Sequence, residues 1–419
     1  MTTATDPVKS FELSDELAER IGEMPPQGAV EFLIEQAIQA NASDLYFDPQ
    51  ADDVQVDIRR LGIMRPFITL PEENGQRCIA HIQAEAGMQR TERRHPRDGH
   101  WRLDRVGGGT ADLRLHAMPT LYGDSLAIRL MGHNEGLKRL SSLGFVGQQN
   151  AELTAMLNRP GGLILVTGPS GCGKSTTLYA CLHALNDGRR SIHTIESPVE
   201  YAVPGLRQTG LDVGGPANMA ELLRGVLRHG PDVLMIGEIR DSETADAVVS
   251  AANSGRLVLA TLNAPFAGTA VQRLLKMGVP SYFLSTSLLG IVGQRLVRTL
   301  DRDRALPMNL GAAPRTFEEV SDYLPTNGTE NNPNLTVYAA TDDDSYNGLT
   351  GVFEILKVSP TIRRMIADEK SSQALTGQAV SEGMLDLRRA ALIKVARGVT
   401  TFDEMQRIVP AEPTTRDQA

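Results

Sequence analysis

The sequence predicts an α/β chain in two parts: a doubly wound core built on a parallel sheet, preceded by a smaller α+β domain. Three observations carry this. Apolar runs at residues 163–166, 233–236 and 257–262 alternate with helical segments at 174–185, 242–253 and 268–277, as in parallel strands covered by helices on both faces. A glycine-rich turn, Gly168-Pro169-Ser170-Gly171-Cys172-Gly173-Lys174-Ser175, joins the first of these strands to the first of these helices. Upstream, strict alternation such as Val54-Gln55-Val56-Asp57-Ile58 replaces the continuous runs and marks half-buried strands.

Taken in order, residues 1–28 read as an N-terminal tail, polar at the start and without the basic flank and apolar stretch of a signal peptide. Residues 29–133 form the α+β domain. It opens on an amphipathic helix at 29–40, in which Val30, Leu33, Ile34, Ala37 and Ile38 share one face. Strands follow at 45–47 and 54–58 with a turn at Asp52-Asp53, then a helix at 76–86, a polar loop at 93–99, and strands near 111–117 and 125–130, with Gly107-Gly108-Gly109 at a hairpin tip. Residues 134–147, glycine-bearing and weak in strand signal, are expected to be a linker. The α/β core spans 148–300, an irregular insert 301–347, a C-terminal helical part 348–409 and a polar tail 410–419.

With 419 residues the chain is long enough for two or three cores, and 41% hydrophobic with 22% charged residues is ordinary globular usage. A net charge of −9 and only 5% aromatic residues give no phosphate-tracking or stacking surface, so a nucleic-acid partner is not expected. The apolar runs fall far short of the roughly 20 residues that span a bilayer, so no transmembrane segment is expected. Cys78, Cys172 and Cys181 form no C-x-x-C pair, which predicts neither a disulfide framework nor a zinc site.

The glycine-rich turn fits G-x-x-x-x-G-K-[ST] in its required strand–helix context. Chance places such a pattern in a chain of this length on the order of one or two times in a hundred. Glycines let successive backbone N–H groups turn toward phosphate oxygens, and the helix N-terminus adds partial positive charge. Gly168, Pro169, Ser170, Gly171, Cys172, Gly173, Lys174, Ser175 and Thr176 are therefore the expected nucleotide-binding residues; Lys174 reaches the β- and γ-phosphates and the Ser175 hydroxyl ligates Mg²⁺. Val233-Leu234-Met235-Ile236-Gly237-Glu238, an apolar strand ending in a carboxylate, supplies the acidic partner Glu238. A thiol at a helix start beside Lys174 predicts a lowered Cys172 pKa; an inert small filler is the equal alternative.

The order of Ala42-Ser43-Asp44, the phosphate loop, Thr194-Ile195-Glu196-Ser197-Pro198-Val199-Glu200-Tyr201, Gly237-Glu238-Ile239-Arg240-Asp241, Ala260-Thr261-Leu262, Gln294-Arg295-Leu296-Val297-Arg298, Gly351-Val352-Phe353-Glu354-Ile355-Leu356 and Gly383-Met384-Leu385 resembles the type II secretion and type IV pilus motor ATPases. The resemblance implies a PAS-like N-terminal domain and a RecA-like P-loop ATPase domain, with ATP and Mg²⁺ bound and with ATP between the domains. It also implies a cytoplasmic homohexamer, peripheral to the inner membrane, whose turnover drives a platform protein that extends or retracts a pilus or pseudopilus. By the same resemblance Glu196 polarises the attacking water, Glu238 supports Mg²⁺, and Arg114 and Arg129 reach the γ-phosphate as cations that offset developing charge. The plain alternative for both arginines is a solvated strand face.

The chain departs from that family's pattern at several points. Glu196-Ser197-Pro198 stands where Glu-Asp-Pro is usual, and Thr261-Leu262-Asn263 where Thr-Leu-His is usual. Asn263 can still donate and accept hydrogen bonds but cannot change charge. No cysteine lies between Arg298 and Gly351, where assembly-type members carry a zinc module, so no zinc site is expected. Two further readings stay open: a nucleotide-responsive assembly protein that hydrolyses weakly or not at all, and a DNA-handling or type IV secretion traffic ATPase.

Overall fold

A computed structural model describes residues 15–88, 95–105, 108–131, 137–211, 218–309, 315–324 and 335–409. The chain divides into two compact units, with the division between Glu135 and Gly136. In the first, helices α1 (Asp15–Glu23) and α2 (Pro26–Gln39) precede strands β1 (Ala42–Pro49), β2 (Asp53–Arg60) and β3 (Ile63–Pro71). Helix α3 (Glu72–Glu85) and strands β4 (Arg97–Asp104), β5 (Thr110–Thr120) and β6 (Gly123–Met131) complete it. The strands form one antiparallel sheet in the order β3-β2-β1-β6-β5-β4.

Alternation decides this unit. Leu45, Phe47, Val54, Val56, Ile58, Leu113 and Ile128 enter one core with Val30, Leu33, Ile34 and Ala37 of α2 and Ile79 and Ile82 of α3. The intervening polar residues stay on the open face, as one-sided antiparallel sheets require. Burying a side chain such as Phe47 contributes roughly 1.5–3 kcal/mol.

Several expectations are corrected here. The segment expected as a tail carries α1 and the start of α2, with Ile21 buried in the core; residues 1–14 lie outside the described residues. The polar loop expected at 93–99 gives way to β4 from Arg97 onward, where pairing with β5 satisfies the backbone; 93 and 94 lie outside the described residues. The turn before β2 closes by Gln50 N–H donating to Asp53 O at 2.8 Å, with Asp53 already in the strand. Strand β3 has no counterpart in the sequence reading because Pro66 interrupts its pattern; it lies at the sheet edge, where a proline is tolerated. Gly108 and Gly109 do turn the β4–β5 connection, both at positive φ, while Gly107 is outside the described residues.

The second unit begins with α4 (Gln149–Leu157), β7 (Gly162–Thr167), α5 (Lys174–Leu185), β8 (Ile192–Glu196), β9 (Arg207–Gly210), α6 (Met219–Leu227) and β10 (Val233–Ile236). It continues through α7 (Ser242–Asn253), β11 (Leu257–Leu262), α8 (Ala267–Lys276), α9 (Ser281–Ser287) and β12 (Leu288–Leu300). A two-stranded sheet of β13 (Leu306–Asn309) and β14 (Thr336–Ala339), then β15 (Tyr346–Lys357) and helices α10 (Pro360–Ala367), α11 (Ser372–Ser381), α12 (Leu387–Ala396) and α13 (Phe402–Ile408), end it. The main sheet runs β15-β12-β7-β11-β10-β8-β9, parallel except for β15.

Strands β7, β10 and β11 are almost wholly apolar because each serves two cores. Leu163 and Leu165 enter one cluster, with Leu234, Ile236, Val258 and Ala260; Ile164 and Val166 enter the other, with Met235 and Leu259. The region expected as an irregular insert is partly built: Phe317, Val320, Leu335 and Val337 join Leu387, Ala391 and Leu392 of α12 in a separate core. Nor is 143–147 a free linker. Leu143 and Val146 are buried, Gly351 N–H donates to Leu143 O at 3.0 Å, and Phe145 lies 4.1 Å from Phe353 between ring centroids. Residues 132–136 and 410–419 lie outside the described residues.

Candidate active site

Neighbouring strands β7, β11, β10 and β8 end at the same edge of the parallel sheet, where ligands of open α/β sheets bind. The phosphate loop leaves β7, Asn263 follows β11, Glu238 follows β10, and Glu196 is the last residue of β8. A cavity of about 520 Å³ there is lined by Lys174, Ser175, Glu196, Glu200, Glu238 and Asn263, among others. Ser170 and Gly171 also reach it, whereas Gly168, Pro169, Cys172, Gly173 and Thr176 shape the loop and the first turn of α5 without lining it.

The loop needs its glycines. Gly168 sits at φ +152°, and a Cβ there would lie 2.5 Å from both Cys172 Sγ and Gln294 O. Gly173, at φ +84°, precedes α5 with no side-chain cap, so the first-turn N–H groups of that helix are left for an anion. From β12, Gln294 pins the loop: its Nε2 donates to Cys172 O at 2.7 Å and its Oε1 accepts from Thr177 at 2.8 Å. Lys174 Nζ donates to Gly168 O and Pro169 O, each at 2.9 Å, and to Asn263 Oδ1 at 2.7 Å. Burial holds its pKa below the ordinary lysine value.

The expected low pKa of Cys172 is overturned. The thiol is buried, and desolvation pushes its pKa up, outweighing the nearby Lys174 and Arg295 cations. The filler alternative is the one its surroundings match.

The carboxylates occupy different environments. Glu238 accepts from Asn263 Nδ2 through one oxygen and from Arg240 Nε at 2.6 Å through the other. Glu196 is buried, at 3% exposure, and surrounded by donors: Tyr179 OH at 2.5 Å, Thr194 Oγ1 at 2.6 Å and Gln208 Nε2 at 3.3 Å. Burial raises the Tyr179 pKa, with its bond to Glu196 adding to the effect, so this phenol stays a donor. Glu200, given no role in the sequence reading, is exposed and accepts from Ser175 Oγ at 2.9 Å. The signal for it was present: it closes the segment that begins at Glu196, beyond the turn at Ser197-Pro198.

In the N-terminal unit, Arg114 and Arg129 are directly opposed on β5 and β6. Two like charges so placed repel. Asp44 partly neutralises Arg129, with Oδ1 3.9 Å from its Nε, while Oδ2 lies 3.8 Å from Arg59 Nε.

A phosphate loop at the carboxyl end of a parallel sheet, with a lysine, a helix-start serine and carboxylates converging on one cavity, defines a P-loop protein of the RecA-like α/β class. Residues 21–407 match the family described as "Type II/IV secretion system protein", and the chain belongs to that family. It is 33% identical over 400 residues to the type II secretion system ATPase E of Vibrio cholerae, covering 94% of this chain and 77% of that one. It is 32% identical over 380 residues to the type IV pilus assembly ATPase PilB of Acinetobacter baylyi, covering 90% of this chain and 65% of that one. The Legionella pneumophila ATPase DotB shares the fold, with a TM-score of 0.66 at 19% identity over 96% of this chain and 97% of that one. Among the described residues, no helix is long and apolar enough to cross a membrane.

Proposed function

We propose that this chain hydrolyses ATP as a homohexameric motor, cytoplasmic and peripheral to an inner membrane. Its turnover drives a platform protein to assemble or retract a type IV pilus or a type II secretion pseudopilus. The observation that carries this reading is the convergence of Lys174, Ser175, Glu238 and Glu200 on one cavity. The names of the relatives support the kind of machine served.

Lys174 is the cation for the β- and γ-phosphates, and its partly buried setting strengthens that attraction. Of the two acids at and beyond the end of β8, Glu200 is the better candidate to orient the attacking water, because its carboxylate is exposed beside Ser175. Glu196, bonded to three donors, fits a role in shaping the turn at Ser197-Pro198. Arg114 and Arg129 are proposed as γ-phosphate contacts, which would use their mutual repulsion by giving it an anion to surround.

The donor set fits Mg²⁺. Ser175 Oγ and the carboxylate of Glu238 are hard oxygen donors. Mg²⁺ commonly keeps waters and takes phosphate oxygens, so these side chains need not fill its shell alone. When bound, Mg²⁺ supplies charge neutralisation on the phosphates.

Phosphate release by the purified protein, with its assembly size measured alongside, tests the proposal. Turnover is expected in wild type and its loss in Lys174→Ala, with the melting temperature retained. Tight ATP binding without phosphate release would instead favour a nucleotide-responsive assembly protein, the reading that Ser197 and Asn263 motivate.

A further inference from the structure

Asn263 lies immediately beyond β11, between the loop that carries Lys174 and the loop that carries Glu238. Its Oδ1 accepts from Lys174 Nζ at 2.7 Å, and its Nδ2 donates to Glu238 Oε1. An ammonium only donates and an ionised carboxylate only accepts, so a single orientation of the amide satisfies both partners. The backbone around it is held as well. Thr167 Oγ1 shares its single proton between Leu262 O at 2.8 Å and Ala264 O at 2.9 Å, and Arg273 Nη1 donates to Asn263 O at 2.5 Å. Arg240 holds the remaining Glu238 oxygen.

We infer that Asn263 is a positioning residue: its amide locks the Lys174 ammonium and the Glu238 carboxylate into one hydrogen-bonded unit, so that the cation for the phosphates and the acid for the metal are aligned together. This rests on the nucleotide-hydrolysing reading above. The chemistry asks for a short, uncharged side chain that accepts on one atom and donates from the next. Leucine has nearly the same shape and offers neither function. Aspartate keeps the acceptor for Lys174 but removes the donor and sets a second carboxylate against Glu238, which repels it and binds the lysine more firmly. A neutral imidazole offers one acceptor and one donor and so can replace the amide.

The test combines turnover with calorimetric binding of a non-hydrolysable ATP analogue at pH 8, for wild type, Asn263→Leu, Asn263→Asp and Asn263→His. Asn263→Leu should lower kcat roughly ten- to a hundredfold while changing analogue affinity less than about threefold, because alignment is lost but the cation remains. Asn263→Asp should weaken analogue affinity as well as kcat, and Asn263→His should recover most of what leucine loses. Wild-type kcat in a folded Asn263→Leu protein, or no recovery in Asn263→His, overturns the inference while leaving nucleotide hydrolysis intact. Failure of wild type itself to take up the analogue or release phosphate overturns the hydrolytic reading, and this inference with it.

Discussion

In the N-terminal sheet, Leu113 and Leu115 enter a core while Arg114 between them stays on the open face; in the C-terminal sheet, Leu163 and Leu165 enter one core while Ile164 and Val166 enter another. A strand buried on both faces has little room for chemistry along its length, so its reactive groups gather just past its end. Glu238, Asn263 and the phosphate loop sit there, and Glu196 is the last residue of its strand. A strand buried on one face can present cations mid-length, and it presents Arg114 and Arg129. The first arrangement inherits its geometry from the rigidity of the core. The second leaves long side chains on a surface where they can turn toward a ligand.

The strongest way to break this contrast is to compare two acids near the same strand. Glu200→Gln, beyond the end of β8, should lower turnover by roughly 10²–10⁴-fold with the melting temperature unchanged. Glu196→Gln, at the last buried position, should instead cost roughly 1–3 kcal/mol of stability, since its amide would face Tyr179 and Thr194 donors; chemical denaturation beside steady-state kinetics separates the two. If Glu196→Gln proves to be the catalytic loss, the division between buried and projecting acids fails.

Next comes the alternation itself. Leu113→Ala should destabilise the N-terminal unit by about 2–5 kcal/mol. Its neighbour Arg114→Ala should stay within about 0.5 kcal/mol, or gain slightly as repulsion from Arg129 is relieved. Denaturant unfolding of the two variants reads this directly, and equal effects would remove the one-sided description.

A smaller effect concerns a charge on the wrong side of a core. Lys394 of α12 is buried, its Nζ donates to Thr350 Oγ1 at 3.3 Å, and burial, with Arg397 adding to it, pushes its pKa down to about 8. The folded value lies below the unfolded value of about 10.4, so the folded chain binds this proton more weakly. The penalty is complete below about pH 8 and fades as pH rises toward the unfolded value. Lys394→Met should therefore stabilise by roughly 1–3 kcal/mol at pH 7, with a smaller gain at pH 10, measured by calorimetric melting.

Much of this was readable from side chains alone. Helix α7 lies where the sequence predicts a helical segment, over 242–253; Asp241 caps it and alanines and valines fill its buried face. The phosphate loop was legible because its glycines and lysine are dictated by local chemistry. What escaped depends on distant partners. Strand β3 is an edge strand supported by β2, Phe145 is ordered by Phe353, and Glu200 gains meaning only when Ser175 is beside it. For Cys172 the sequence leaves a reactive thiol and an inert filler equally open for the same reason: the burial that raises its pKa comes from surrounding structure, whereas Lys174 is visible in the sequence.

Strand β12 is 13 residues long, roughly 40 Å of continuous backbone. Near its middle Gln294 grips the phosphate loop, and further on Arg298 binds Glu404 of α13 at 3.0 Å and Asp343 at 2.7 Å while stacking 3.8 Å above Tyr346. Paired with β15 along nearly all of that length, it behaves as a stiff girder with a clamp at each station. The loop after β7 and helix α13 are thus fastened to the same strand, so neither can shift without straining a shared length of backbone.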